Sequence, residues 1–142
     1  MHIEKMSLKE ALFKYPQCAK MIICDWSGMG EIIIHYPELH SKIKAFLAID
    51  NNMKVIGWSW LIPKTHKDFT KTYYFMVLVE KTRKKIGKKL FMKAKDLAQS
   101  HHRRLKVFPW DLVSEKFFTT MKVKEENKIR NWNNGWYYGD LK

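Results

Sequence analysis

The residues best suited to chemistry lie in one stretch, VLVEKTRKKIGKKLFMKAKDLA, residues 77–98. Its apolar start ends at Glu80, six cationic residues and one glycine occupy positions 81–89, and an amphipathic helical pattern follows. A turn between a strand and a helix directs the first free N–H groups of the helix, and the positive end of its dipole, at one point. Such a turn could bind a phosphate, and Gly87 would let that ligand approach the backbone closely. Alternatively, the lysines form the solvated surface of a basic protein.

The predicted phosphate or pyrophosphate site spans about Thr82 to Lys88. Formal positive charge around it comes from Lys81, Arg83, Lys84, Lys85, Lys88 and Lys89. The spacing of a P-loop is absent, and so is GxGxxG. A single glycine therefore leaves the identity of the ligand open at this point.

A strand–helix–strand unit must position this turn. Residues 72–79, TYYFMVLV, are apolar on both alternations and rich in β-branched and aromatic types, which indicates a central strand buried on both faces. Ile86–Ser100 carries one apolar helical stripe, and residues 104–110, RLKVFPW, predict the next strand. If the two strands share a sheet, they are parallel and are joined by a right-handed crossover.

Upstream elements are predicted from caps and alternation. Residues 7–10, SLKE, have capping-box spacing and predict a helix that ends or kinks at Pro16, with a second helical piece over about 17–26. Residues 44–62 predict a β-hairpin that turns at Asn51–Asn52 and ends before Pro63. Trp58 and Trp60 share one face of its second strand, where core packing is the expected role.

Downstream, a helix and a hairpin complete the pattern. Asp111 can N-cap a helix that continues through Met121, and Asn134-Gly135 suits the turn of a final hairpin. The order predicts a mixed α/β fold with a mostly antiparallel sheet of about six strands and helices on both faces. The 142 residues fit a single domain, residues 1–142.

Composition narrows the class of protein. A hydrophobic share of 46% and an aromatic share of 14% exclude a disordered chain. A net charge of +13 favours anionic partners, which include nucleic acid, phosphorylated cofactors and acidic protein or membrane surfaces. Cys18 and Cys24 form no CxxC pair, so reduced thiols and no metal site are expected. No secretory signal or membrane span is apparent, which predicts a soluble cytoplasmic protein.

Residues 77–90 resemble the acetyl-CoA motif of the GNAT superfamily of N-acetyltransferases, V-x-P-E-x-R-G-x-G-x-G-x-x-L, whose core signature is R/Q-x-x-G-x-G/A. Without gaps, the matching residues are Val77, Glu80, Gly87 and Leu90. Thr82 stands where the family has Arg or Gln, and Lys85 stands at the first signature glycine. The resemblance implies a pyrophosphate turn that is rebuilt around lysine charge or binds weakly.

Residues 107–123, VFPWDLVSEKFFTTMKV, resemble the later family segment V-x-x-x-N-x-x-A-x-x-F-Y-x-x-x-G-F. Val107 and Phe117 match, and Asp111 takes the Asn place. Phe118 takes the place of the tyrosine that often serves as general acid to the CoA thiolate, and phenylalanine cannot donate a proton. Lys122 takes the glycine place.

The resemblance implies a GNAT-like (acyl-CoA N-acyltransferase) fold in which the central strand and its neighbour splay apart around the CoA arm. The cofactor-binding residues it implies are Val77, Leu78, Val79, Thr82, Arg83, Lys84, Lys85, Ile86, Gly87, Lys88 and Asp111. Glu80 is the candidate base, or else an ordinary solvent-facing acid, while His35 and Tyr74 are further titratable candidates. The implied reaction is acetyl transfer from acetyl-CoA to an amine whose identity the sequence leaves open.

The alternative function is a catalytically inactive GNAT-fold protein that binds nucleic acid or a protein assembly through its basic surface. Small size, high lysine content and incomplete motifs are typical of viral or mobile-element coding. The basic cluster at residues 101–104, HHRR, could contact a phosphate or could satisfy the last carbonyls of the preceding helix. Lys93 and Lys95 are expected on a solvated helix face, and Phe117 and Phe118 in packing.

Overall fold

The structure, a computed structural model, describes residues 1–18, 34–65, 71–79, 84–107, 112–121 and 136–138. In chain order the elements are β1 (His2–Ser7), α1 (Leu8–Lys14), a 3₁₀ turn (Pro37–Leu39), β2 (Lys44–Ile49), β3 (Val55–Thr65), β4 (Lys71–Val79), α2 (Lys84–Ser100), β5 (Arg104–Val107), α3 (Leu112–Thr120) and β6 (Trp136–Tyr138). The described strands form one sheet in the order β1-β2-β3-β4-β5-β6. Neighbours are antiparallel except β4 and β5, which are parallel. The predicted mixed, mostly antiparallel sheet is confirmed.

Helices cover both faces of the sheet, as predicted. On one face, α1 packs against a core that contains Trp58 and Trp60, which are 0% and 1% exposed. On the other face, α2 and α3 pack over Phe75 of β4. Each tryptophan removes about 150–250 Å² from water, which at about 25 cal/mol per Å² stabilises the folded state by roughly 4–6 kcal/mol as an upper bound.

The start of α1 is fixed by its cap, and its end is held by a carboxylate on β1. Ser7 Oγ accepts the Glu10 backbone N–H at 3.1 Å, so the predicted N-cap is confirmed. Glu4 accepts hydrogen bonds from Lys14 Nζ and the Tyr15 hydroxyl, both at 2.7 Å. These bonds, first that of Lys14, then those of Tyr15 and His2, lower the pKa of Glu4 to about 2.

Two strand predictions differ from the structure. β1 was not predicted, because only Met6 of its six residues is buried and the strand therefore lacks apolar alternation. The expected end of β3 before Pro63 is wrong, since the strand continues to Thr65 and pairs with β4 throughout. β2 ends at the pairing of Lys44 with Leu61, so Pro63 lies beyond β2, where a proline interrupts no ladder on that side.

Several predicted features lie partly or wholly outside the described residues. The second helical piece is described only to residue 18, and the final hairpin only through β6, which pairs with β5. Cys18 is a buried free thiol whose pKa burial raises to about 11, while Cys24 is outside the described part. Within the described ranges, no helix has the length and apolar character that crossing a bilayer requires.

Candidate functional site

The described pairing of β4 with β5 stops short of the end of β4, and we call the edge of β4 beyond it the opening. β4 pairs with β3 along its whole length, as far as the pairing of Val79 with Gly57. Its pairing with β5 runs only from Thr72–Arg104 to Phe75–Val107. Residues 76–79 therefore extend past β5, and among the described residues nothing pairs with that edge of β4. Because N–H and C=O groups alternate between the two sides of a strand, every second residue presents unpaired backbone groups to the opening.

Val77 and Val79 lie on this free edge of β4. Both are half-buried and pack against the core beneath α2 and α3. Leu78 lies between them and is paired with Trp58 of β3. The three residues that the sequence assigned to the cofactor arm are thus the last three residues of β4, at the opening.

Two buried polar groups lie on β3, on the other side of β4 from the opening. Ser59 Oγ and Trp60 Nε1 have no hydrogen-bond partner in the described part of the chain. Ser59 pairs with Val77, and Trp60 with Met76, the first residue of β4 past its pairing with β5. A buried polar atom without a hydrogen-bond partner costs about 1–3 kcal/mol, so such atoms are uncommon in folded proteins and need a specific explanation.

The first turn of α2 is held against the core by one side chain. Lys84 begins α2, and Ile86 is buried in the core with Leu90 one turn later. Lys85 and Lys88 are exposed on either side of Ile86. The N–H groups of this turn have no partner within the helix, so they and two ammonium groups can face an anion together.

Gly87 is not required by packing among the described residues. A Cβ at this position would lie 3.7 Å from Cε2 and 3.8 Å from Cζ of Phe117, which is ordinary van der Waals contact. Glycine inside a helix costs about 0.5–1 kcal/mol relative to alanine. The absence of a side chain at the start of α2 is therefore unexplained by the fold alone.

Four of the sequence-predicted site residues lie outside the described part of the chain. They are the candidate base Glu80, the turn residues Thr82 and Arg83, and the N-cap candidate Asp111. His35 is exposed. The structure places the other candidates at the end of β4 and in the first turn of α2, and the roles of all of them stay predictions.

Tyr74 and Lys106 form a polar pair close to the opening. They are register partners on β4 and β5, one residue before the pairing ends, and Lys106 Nζ lies 5.8 Å from the centre of the Tyr74 ring. Lys64 Nζ lies at the same distance, 5.8 Å. Burial raises the pKa of Tyr74. Lys106, only 2% exposed, was missed in the sequence, because a lysine that alternates with apolar Leu105 and Val107 is expected on a solvated face.

Phe118 fills the position of the family's general acid with an apolar ring. It is 5% exposed, and its ring centre lies 5.2 Å from that of Phe117, 6.0 Å from Phe91 and 6.1 Å from Phe75. These tilted and edge-on pairs are the arrangements that aromatic rings prefer. The packing role predicted for Phe117 and Phe118 is confirmed.

The basic cluster after α2 stabilises the fold at the other end of that helix. Arg103 donates from Nη1 to the Thr72 carbonyl at 3.2 Å and to the Lys64 carbonyl at 3.5 Å, and its guanidinium lies 4.9 Å from the centre of the Tyr73 ring. His101 Nδ1 and the Tyr73 hydroxyl are 2.8 Å apart. The 17 residues of α2 separate this cluster from the first turn by about 25 Å. It therefore does not belong to the site at the opening.

The described residues contain no group of three or more His, Cys, Asp or Glu side chains that could hold a metal ion. The described groups near the opening are backbone N–H groups, the ammonium groups of Lys85 and Lys88, and the phenol of Tyr74. These groups donate hydrogen bonds and stabilise anions or developing negative charge.

Comparison with known proteins agrees with this geometry. Residues 6–122 match the family model of the acetyltransferase (GNAT) family. An N-acetyltransferase from Staphylococcus aureus Mu50 is 16% identical, with a TM-score of 0.65 and coverage of 99% of both chains. A chain of the NatC complex bound to Gag peptide and CoA is 18% identical, with a TM-score of 0.64 over 97% of this chain and 96% of that one.

A third structure, glucosamine-6-phosphate N-acetyltransferase from Arabidopsis thaliana, is 12% identical. Its TM-score is 0.64, over 94% of this chain and 98% of that one. No curated protein matches the sequence. At these identities, likeness to solved structures establishes the fold, while the family model establishes membership.

Proposed function

Because the chain belongs to the GNAT family of acetyltransferases, we propose that it transfers an acetyl group from acetyl-CoA to an amine. The observation that carries the proposal is the end of β4, which no described residue pairs on the β5 side and which packs, through Val77 and Val79, on the same core as Ile86 of α2. An extended amide-containing arm can pair with the free edge of β4, as an added strand would. Its phosphates can then face the free N–H groups of α2.

Individual residues receive roles from this placement. The backbone of Val77, Leu78 and Val79 would hold the pantetheine arm of acetyl-CoA, since no described residue of β5 pairs with their edge of β4. Lys85 and Lys88 would supply charge to the pyrophosphate in place of the missing signature residues. Gly87 would leave room for the phosphates, which explains a glycine that the packing itself does not need.

Acetyl-CoA supplies an activated thioester carbonyl to this site. Transfer forms a C–N bond and breaks the C–S bond to give a thiolate, and the nitrogen loses a second proton, to solvent or to the thiolate, as the amide forms. Before it can attack, the acceptor ammonium must first lose one proton. Glu80, which follows directly on β4 in the sequence, is the candidate for removing that proton. Unpaired N–H groups at the opening can stabilise negative charge that develops on the carbonyl oxygen.

The leaving thiolate needs little help from the protein. Phe118 cannot protonate it and is packed in the aromatic core. A thiol has a pKa of about 8.5, so its conjugate base is a good leaving group near neutral pH and can take a proton from water. An enzyme of this design would therefore remain active without the family's tyrosine.

Calorimetric titration of the full chain with acetyl-CoA tests the cofactor part of the proposal. A micromolar dissociation constant supports an intact site, and absence of binding at millimolar acetyl-CoA overturns it. Thiol release is then followed with a panel of amines that includes peptide N-termini, amino sugars and polyamines. Binding without acetyl transfer to any of them would favour the inactive alternative.

A further inference from the structure

The outer face of α2 carries a row of exposed lysines. We call Lys85, Lys88, Lys89 and Lys93 the lysine row. The helix contains six lysines and a single aspartate, and its inner face is buried through Ile86, Leu90, Phe91 and Ala94. The row therefore faces away from the core. The predicted solvated face is confirmed at Lys93, whereas Lys95, expected there too, is half-buried.

No ion pair within the described residues neutralises the charge of the lysine row. Members three and four positions apart on a helix have Cβ atoms about 5–6 Å apart, close enough for like charges to destabilise the helix. Glu4, on β1, forms its ion pairs with His2 and Lys14, away from the row. Asp96, the aspartate of α2, makes no ion pair with the row. The row thus combines mutual repulsion with exposure to solvent.

We propose that the lysine row binds the phosphate backbone of a nucleic acid. From Lys85 to Lys93 the row extends about 12 Å along the helix. Duplex DNA presents one negative charge per about 1.7 Å of its axis, so every ammonium of a straight row can reach a phosphate. The net charge of +13 adds long-range attraction to any such partner.

The residues exposed on α2 favour a nucleic-acid backbone over a membrane or an acidic protein surface. The described exposed residues of α2 are all polar or charged. No aromatic side chain is exposed there to stack on unpaired bases, and no apolar group is exposed to enter a bilayer or to form the core of a protein interface. Binding should therefore act through phosphates, without preference for sequence.

Fluorescence anisotropy with a labelled duplex of mixed sequence tests the proposal, using the full chain between about 50 and 200 mM salt. Four phosphate contacts predict a slope of about −3.6 for log K against log salt. Replacing all four row lysines with glutamine should weaken binding at least tenfold and remove most of that slope. The control replaces Lys5, Lys9, Lys42 and Lys116, also exposed, with glutamine. It has the same net charge and should bind within about threefold of the original chain.

Three results would overturn the proposal: no binding at about 50 mM salt, equal losses in the row variant and the control, or equal affinity for polyglutamate and for the duplex. Circular dichroism and thermal unfolding verify that both quadruple variants are folded. The assay contains no acetyl-CoA, so its failure leaves the proposed acetyl transfer untouched. Failure of acetyl-CoA binding likewise leaves this surface intact.

Discussion

The two ends of α2 carry basic residues in different surroundings. After the helix, Arg103 donates to two backbone carbonyls and covers the Tyr73 ring, while His101 meets the Tyr73 hydroxyl. At the start of the helix, Lys85 and Lys88 are exposed and make no ion pair within the described chain. Sequence alone made both segments candidates for phosphate contact, and the structure separates them by what each cation touches.

The difference shows how a basic cluster reveals its role. A guanidinium that is committed to carbonyls and an aromatic ring satisfies the ends of strands and has few donors left for a ligand. Ammonium groups without partners beside free helix N–H groups keep their full electrostatic attraction for an anion. Substitutions at the start of α2 should therefore change the affinity for a ligand, whereas substitutions at its end should change the stability of the protein.

The largest expected effect concerns ligand affinity at Gly87. Gly87→Trp and Gly87→Glu should weaken acetyl-CoA binding at least 100-fold, about 2.7 kcal/mol, because a bulky or negative side chain would occupy the phosphate position. Gly87→Ala should bind within a few-fold and raise stability by about 0.5–1 kcal/mol, since its Cβ meets Phe117 only at contact distance. Calorimetry measures the affinity and thermal unfolding the stability. Unchanged binding in both large variants would show that the phosphate site lies elsewhere.

At the opposite end of α2, the expected effect is on stability. Arg103→Ala should destabilise the protein by about 2 kcal/mol, because two strand carbonyls lose a charged donor and Tyr73 loses its cover. Arg103→Lys should recover only part of that loss, since an ammonium lacks the planar fork. Urea unfolding measures both variants. A marked loss of acetyl-CoA affinity in folded Arg103→Ala would contradict the separation of the two ends.

The sequence predicted the central unit of the fold because its signals are local. The doubly apolar pattern of β4 and the single apolar stripe of α2 each determine an element without knowledge of its neighbours. β1 gives no such signal, because it lies at the sheet edge with one buried residue, and it is fixed by pairing with β2. Likewise, Pro63 is tolerated within β3 only because β2 has already ended.

The candidate site is visible in the sequence only where its signals are local. Lysines around a glycine at a helix start can be read directly from the chain, and the structure places Lys85, Gly87 and Lys88 at the start of α2. The edge of β4 at the opening depends on how far the described pairing with β5 extends, which the residues of β4 do not encode. Lys106 was missed because its burial arises from neighbouring strands rather than from its own segment.

Lys14, which is paired with the carboxylate of Glu4, is a third basic residue in different surroundings, and it makes the stability of the protein depend on pH. The pKa of Glu4 is lowered from 4.5 to about 2, so its stabilising effect is complete above about pH 4.5 and is lost as pH falls through about 2. Since Lys14 is 54% exposed, we discount the contribution to about 1 kcal/mol. Urea unfolding at pH 6 and pH 2.5 should show a smaller pH effect in Glu4→Gln than in the original chain. Equal pH effects would contradict the assignment.

The smallest expected effect separates the stability of the lysine row from its function. Lys89 lies four residues from both Lys85 and Lys93, so Lys89→Gln removes two repulsive pairs and should stabilise the protein by about 0.5 kcal/mol. Glutamine and lysine have similar helix propensities, so propensity does not account for the gain. Lys116→Gln on α3 is the matched control, since it is exposed and has no lysine four residues away, and it should change stability by less.

Nucleic-acid affinity should move in the opposite direction in the same variant. Loss of one phosphate contact lowers the salt slope by about 0.9, while Lys116→Gln leaves it unchanged. A gain in stability together with weaker binding would mean that the same lysines destabilise the helix and bind the anionic partner. If Lys89→Gln stabilised the protein and its affinity for the duplex equalled that of the original chain, the row would be a solvated surface. The start of α2 would then differ from its end only in exposure.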